Sequence, residues 1–301
     1  MIGNKHFLPN CLLSTLLVLL LLATEITCFV RLFALNDQTY LTIMEEQNIS
    51  ARVQDSLTEY FTTQESTTSI PADVYLSTIT DEEIHDAICA NITNAFDYLF
   101  GRTDSLKTEM DFTELEQNVE QFFSDYAASI DYEKDETYDK KVKATISVAE
   151  KEILAQADVF KFQTLNQAGL FKTARRLIPY LDTATIGCVV LSILLCLILL
   201  LINRKAPRVL LYWYGCALTV SSVLPLIPLI YMKATDYFSA FVIKSARIYA
   251  AVTGSLNKLT NGMLLMFVIS LAIGVILINV YAITAAASKK ADQTNTEEPA
   301  E

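Results

Sequence analysis

Apolar positions along this chain fall into four blocks separated by polar and charged stretches. The plainest block, residues 184–202, reads ATIGCVVLSILLCLILLLI and carries no charge. As a helix rising about 1.5 Å per residue it matches the hydrocarbon thickness of a bilayer, where a helix satisfies its own backbone. Residues 7–33, 209–232 and 263–286 predict three more transmembrane helices of the same kind. The connection at residues 203–208 holds Arg204, Lys205 and Arg208, a short basic loop of the sort retained in the cytoplasm. That orientation leaves residues 1–6 as a cytoplasmic N-terminus and residues 287–301 as a disordered cytoplasmic tail. Residues 34–183 and 233–262 then lie outside the membrane's cytoplasmic face. The first block has the look of a signal-peptide core, but no small-x-small cleavage pattern follows Ala23, so it is expected to stay as an anchor.

Residues 34–183 repeat their apolar positions every three to four residues, which predicts helices. Ile49, Val53, Leu57, Tyr60 and Phe61 form a first stripe, expected to prolong the first span, and residues 62–69, TTQESTTS, read as a polar loop. Thr80 with Glu83 has the form of a capping box, after which Ile84, Ile88, Ile92, Ala95, Phe96 and Leu99 make one face that Gly101 terminates. Leu115, Val119, Phe122, Phe123, Tyr126 and Ile130 mark a third helix, and residues 131–143 a charged turn. A fourth carries Val142, Ile146, Ala149, Ile153, Ala157 and Phe160, passes a weak point at Gly169 and feeds the span at Ala184. The expected fold is all-α: four transmembrane helices with an extracytoplasmic antiparallel helical bundle inserted between spans 1 and 2.

In the third span, Gly215, Thr219 and Ser222 share a face, as do Ser270 and Gly274 in the fourth, a pattern that permits close helix contact. Pro225 and Pro228 imply a kink. Between these spans, Phe238, Phe241, Val242, Ser245, Ile248, Tyr249, Val252 and Leu256 line one side of a segment whose other side bears Lys244 and Arg247. This predicts an interfacial amphipathic helix whose two cations dock beneath the acidic domain.

Charge sharpens the division. Residues 36–182 hold 28 Asp and Glu against 12 Lys and Arg, a balance of −16, while the whole chain stands at −11. A domain of that sign excludes nucleic acid and suits cations, basic peptides or plain solubility. Six cysteines are present, but only Cys89 lies well inside the aqueous segment, so no disulfide framework is expected.

Candidate chemistry is sparse. Glu25 is an ionisable group inside a span, placed toward the outer leaflet, where it serves either a function or interfacial water. Asp81, His85 and Cys89 step by four down one helix and offer half a metal site, but zinc requires three or four ligands and no second His or Cys cluster completes the set. No phosphate loop, dinucleotide fingerprint, nucleophile elbow or HExxH occurs in the sequence, so neither a cofactor nor a catalytic residue is expected.

From Ile70-Pro71-Ala72-Asp73-Val74 through Ile79-Thr80-Asp81-Glu82-Glu83-Ile84 to Tyr98-Leu99-Phe100-Gly101, the chain resembles a group of functionally uncharacterised four-span membrane proteins of Gram-positive bacteria with an extracytoplasmic helical domain. The resemblance implies a bacterial cytoplasmic-membrane address and supplies no activity or ligand. The leading expectation is a non-enzymatic membrane protein whose acidic domain binds a protein partner or a small cationic or peptide ligand. A transport or export component and a membrane-embedded enzyme are the alternatives.

Overall fold

The computed structural model describes residues 7–106 and 110–297. The expected cytoplasmic N-terminus at residues 1–6 lies outside the described residues. Every described secondary-structure element is helical, and four helices are long and apolar enough to cross a membrane. The chain divides into two compact units.

The first unit comprises residues up to Leu35, then Pro179–Ser239 and Asn257–Glu301. It contains α1 (Phe7–Phe29), the apolar part of α9 (Leu170–Ile202), α10 (Val209–Ala234) and most of α11 (Ala246–Glu297). Leu17 and Leu21 of α1 pack with Leu195 and Leu199 of α9 and Ala217 and Leu218 of α10. A second cluster joins Leu226 and Leu229 of α10 to Phe267 of α11. Elsewhere these helices turn leucine, isoleucine and valine outward, as lipid-facing helices do. Glycine permits the closest approach: a Cβ on Gly215 would stand 2.9 Å from the Gly274 carbonyl oxygen. At the other end of α1 the Asn10 and Asn203 side-chain amides exchange two hydrogen bonds, each 3.1 Å. After α1 comes one π-helical turn, Val30–Ala34, from which Arg31 donates to Asp182 at 2.9 Å.

The second unit comprises Asn36–Ile178 and Ala240–Leu256. Its helices are α2 (Asp37–Glu46), α3 (Ile49–Thr68), α4 (Asp73–Leu76), α5 (Asp81–Leu99), α6 (Thr113–Ser129), α7 (Glu136–Ala157) and α8 (Phe162–Gln167), with the first turns of α9 and α11. The apolar stripes of α3, α5 and α7 form its core: Ile49, Val53 and Leu57, then Ile84, Ile88 and Ile92, then Val142, Ala149 and Ile153 are all buried. At the start of α5 the capping box forms as its residues foretell. The Thr80 amide donates to Glu83 Oε2 at 2.8 Å, and the Glu83 amide to Thr80 Oγ1 at 3.2 Å. Gly101, at φ +73°, supplies the left-handed residue that ends it. The α7–α8 junction is organised by Asp158, whose buried carboxylate accepts from the amides of Phe162 at 2.8 Å and Gln163 at 3.1 Å and from Asn91 at 3.4 Å.

Several local expectations change. The polar run at residues 62–69 is not a loop, because α3 continues to Thr68. Its hydroxyls fold back onto the helix, with Thr63 donating to the Glu59 carbonyl at 2.8 Å and Thr68 to Gln64 at 3.0 Å. The stripe from Ile49 does not prolong the first span. The chain breaks at Leu35, restarts with Asn36 capping α2, and breaks again at Asn48, a left-handed residue at φ 48°. The fourth stripe likewise ends at Ala157, and it is α9, beginning beyond Gly169 at φ +75°, that contains the second span. The amphipathic segment is not a separate helix. Residues 241–245 are non-helical, and from Ala246 one helix includes the fourth span and runs to Glu297, so helix also replaces the disordered tail as far as that residue.

Candidate functional site: an aromatic groove with an acidic rim

Helices α6 and α7 are joined by a tightly held turn. The Tyr132 amide donates to the Ala127 carbonyl at 2.9 Å, and Asp131 adopts a left-handed conformation at φ 52°. Asp135 caps α7 by accepting from the Tyr138 amide at 2.8 Å, and Lys134 Nζ reaches back to Ser124 Oγ at 2.7 Å. The apolar stripe of α6 therefore runs past the core. Leu115 and Val119 are buried, but Tyr126 and Ile130 are 57% and 54% exposed, and Tyr132 in the turn is 44% exposed. Together with Phe123, Tyr138 and Lys141 they line an open groove of about 160 Å³. The segment from Asp125 to Glu136 beside it carries five exposed carboxylates, Asp125, Asp131, Glu133, Asp135 and Glu136, against Lys134, while Lys141 of α7 is a further cation in the groove lining.

A second groove of about 280 Å³ lies where α3, α4 and α7 meet. Phe61 and Tyr75 stack in it with ring centroids 4.4 Å apart, and Val148, 59% exposed, forms its lip. Burial, reinforced by Tyr60, pushes the Tyr75 hydroxyl up to about 12, so it is a hydrogen-bonding phenol rather than a phenolate at neutral pH. Both grooves are smaller than the roughly 300–1,000 Å³ of small-molecule sites.

The residues singled out from sequence fall in three places. Asp81 is exposed at the start of α5, while His85 Nδ1 stands 3.3 Å from Asp86 Oδ1 and 3.8 Å from Cys89 Sγ. Cys89 turns to Met44, with its sulfur 3.9 Å from Sδ. Asp81 is not among these contacts, and no group of three His, Cys, Asp or Glu able to hold a metal occurs among the described residues. Burial, then Asp86 and Glu45, raise the Cys89 thiol above its ordinary range, which keeps it protonated and a poor nucleophile.

Arg247 packs within the acidic unit, where its guanidinium donates to the Gln156 carbonyl in the field of Glu152 and Asp158. Two turns further along α11, Gly254 lies against Gln47 and Ile43. Lys244 is exposed. Glu25 belongs to the membrane-helix unit, with both carboxylate oxygens shut off from solvent and the hydroxyls of Ser221 and Ser270 as its polar neighbours.

In sequence, Tyr126 and Ile130 belong to the apolar stripe of the third helix and residues 131–143 read as a charged turn, but helix α7 takes up that run from Glu136 onward. The available signal was Tyr132, an aromatic residue within that charged run. Comparison with protein families, with curated proteins and with solved structures returns no match.

Proposed function

We propose that this chain is a multi-pass cell-membrane protein whose acidic helical unit is an extracytoplasmic docking module for a basic polypeptide segment, and that it performs no catalysis of its own. The observation that carries this reading is the cluster of exposed Tyr126, Ile130 and Tyr132 inside a rim of carboxylates. Three large, mainly apolar side chains left largely exposed at a helix end and its hydrogen-bonded turn contribute little buried area to their own unit. Exposed clusters of this kind mark interaction sites, and aromatic residues dominate the energetics of such contacts. The rim selects sign: it attracts Lys and Arg flanking an apolar anchor and repels acidic sequences and anionic headgroups.

Topology supports the same reading. Arg204, Lys205 and Arg208 between the second and third spans favour the cytoplasmic side, which places the acidic unit opposite and both termini within. A bacterial cell envelope is the setting that the resemblance to Gram-positive membrane proteins implies. In this reading the module acts as an envelope sensor or scaffold.

The test uses the full chain in nanodiscs and fluorescent peptides carrying Leu-Phe between Lys-Arg flanks. We expect binding that weakens with salt and falls at least tenfold in Ile130→Glu and Tyr132→Ser. Peptides with Ser-Ser in the centre, or acidic flanks, should not bind. Equal binding of apolar-centred and serine-centred peptides, or retention of binding by both variants, would contradict the assignment.

A further inference from the structure

In α1 the buried positions are Asn10, Ser14, Leu17, Leu21 and Phe29, a single face with steps of three or four residues as far as Leu21 and then one of eight to Phe29. Glu25 falls midway between Leu21 and Phe29, four residues from each, and so shares that inward face instead of reaching toward interfacial water. Its two oxygens are enclosed without a hydrogen bond of ordinary geometry. The surrounding polar groups come from two other helices, Ser221 of α10 and Ser270 of α11.

The chemistry of those neighbours is unusual for a carboxylate. Ser221 is fully buried, and its one hydroxyl proton points to the Leu218 carbonyl at 3.0 Å. Ser222, beside it, donates to the same carbonyl at 2.7 Å. The oxygen of Ser221 keeps lone pairs available to a cation held beside Glu25. The backbone adds another acceptor. Residue 225 is proline and has no N–H, so the Ser221 carbonyl lacks the helical donor that position i+4 would supply. The enclosed carboxylate thus has hydroxyls of two other helices as neighbours and a carbonyl without its helical donor on one of them, and a carboxylate among apolar helices calls for a proton or a cation beside it. Arg31, the nearest cation in sequence and part of the π-helical turn after α1, forms an ion pair with Asp182 at 2.9 Å. Tyr214 of α10 is the titratable side chain that lies in the field of Glu25.

We propose that Glu25, Ser221 and Ser270, with the Ser221 carbonyl released by Pro225, form a binding site for a sodium-sized monovalent cation. All ligands are hard oxygens, the donor set of alkali and alkaline-earth ions. A single carboxylate is neutralised by a single positive charge, whereas a divalent ion would leave net charge among apolar helices. Helix backbone interrupted at membrane depth is where coupling ions are held by carbonyls in transport proteins. The site lies within the membrane-helix unit and is independent of the docking groove.

The experiment measures thermal unfolding of the full chain in detergent at constant ionic strength, exchanging choline chloride for NaCl at pH 8 and again at pH 6. We expect a saturable rise in melting temperature with Na⁺, of about 5 °C at a hundredfold excess over the half-saturating concentration. Protons compete for the carboxylate, so half-saturation should move to higher Na⁺ at pH 6. Glu25→Gln should abolish the Na⁺ response, and the milder Ser270→Ala should raise half-saturation about tenfold through loss of one ligand. A melting temperature that follows pH but not Na⁺, an equal response to choline, or an undiminished Na⁺ response in both variants would overturn the assignment.

Discussion

Gly215 of α10 and Gly274 of α11 meet backbone to backbone, with the Gly274 carbonyl oxygen 2.9 Å from where a Cβ on Gly215 would sit. The reverse direction is tighter still, since a Cβ on Gly274 would meet Thr219 Oγ1 at 2.6 Å and the Thr219 amide nitrogen at 2.9 Å. Backbone cannot swing aside as a side chain does, so the two helices must separate to admit a methyl group.

Gly274→Ala is therefore expected to destabilise the membrane-helix unit by about 1–3 kcal/mol, the usual range for overpacking. Gly187→Ala on α9 is the control, because nothing stands within 4 Å of its added Cβ. Thermal unfolding in detergent should show a lowered transition for the first variant and an unchanged or slightly raised one for the second.

The two cations of the amphipathic segment should behave differently. Arg247→Glu removes the donor to the Gln156 carbonyl and sets a third carboxylate beside Glu152 and Asp158. It is expected to cost about 2–4 kcal/mol and to expose the acidic unit to limited proteolysis. Lys244→Glu, at an exposed position, should leave the protease pattern as it was.

Much of this arrangement was legible beforehand. The stripe from Ile84 to Leu99 becomes the core face of α5, and the Thr80–Glu83 box forms, because both depend on local spacing alone. The breaks at Asn48 and Lys161 were not legible, since each places a non-glycine residue in the left-handed region, at φ 48° and 57°. Tertiary contacts decide such positions, not propensity. The hydroxyl-rich end of α3 misled for the opposite reason: back-bonded threonines prolong a helix whose composition resembles a loop. For Glu25, sequence could show an acidic residue in a span but not that its oxygens are enclosed beside hydroxyls from two other helices. The groove escaped notice because periodicity marks Tyr126 and Ile130 as apolar without saying where the core ends.

Glu150 supplies a pH signature. Partial burial and the neighbouring Glu116 raise its carboxyl above the ordinary glutamate range. A folded-state value above the unfolded one means that the folded unit holds the proton more tightly, so this stability is present at acid pH and lost as pH rises through the folded value. Glu150→Gln should raise the melting temperature at pH 7, and the gain should shrink as pH falls toward 4. Solvent screening at this partly exposed site keeps the effect small.

Cys89 should alkylate slowly. With its thiol held protonated by burial and by Asp86 and Glu45, a single-cysteine protein retaining Cys89 is expected to react with iodoacetamide at pH 8 several-fold slower than a free thiol. Asp86→Asn should accelerate it. A rate faster than that of free cysteine would restore Cys89 as a candidate nucleophile.

Labelling with a membrane-impermeant maleimide tests the central claim most directly, since docking from outside the cell requires the acidic unit to be there. In a protein whose six cysteines are replaced by serine or alanine, Ile130→Cys should label in intact cells. Lys205→Cys should label only after the membrane is permeabilised. The reverse pattern, with residue 205 open to the reagent and residue 130 protected, would contradict the account.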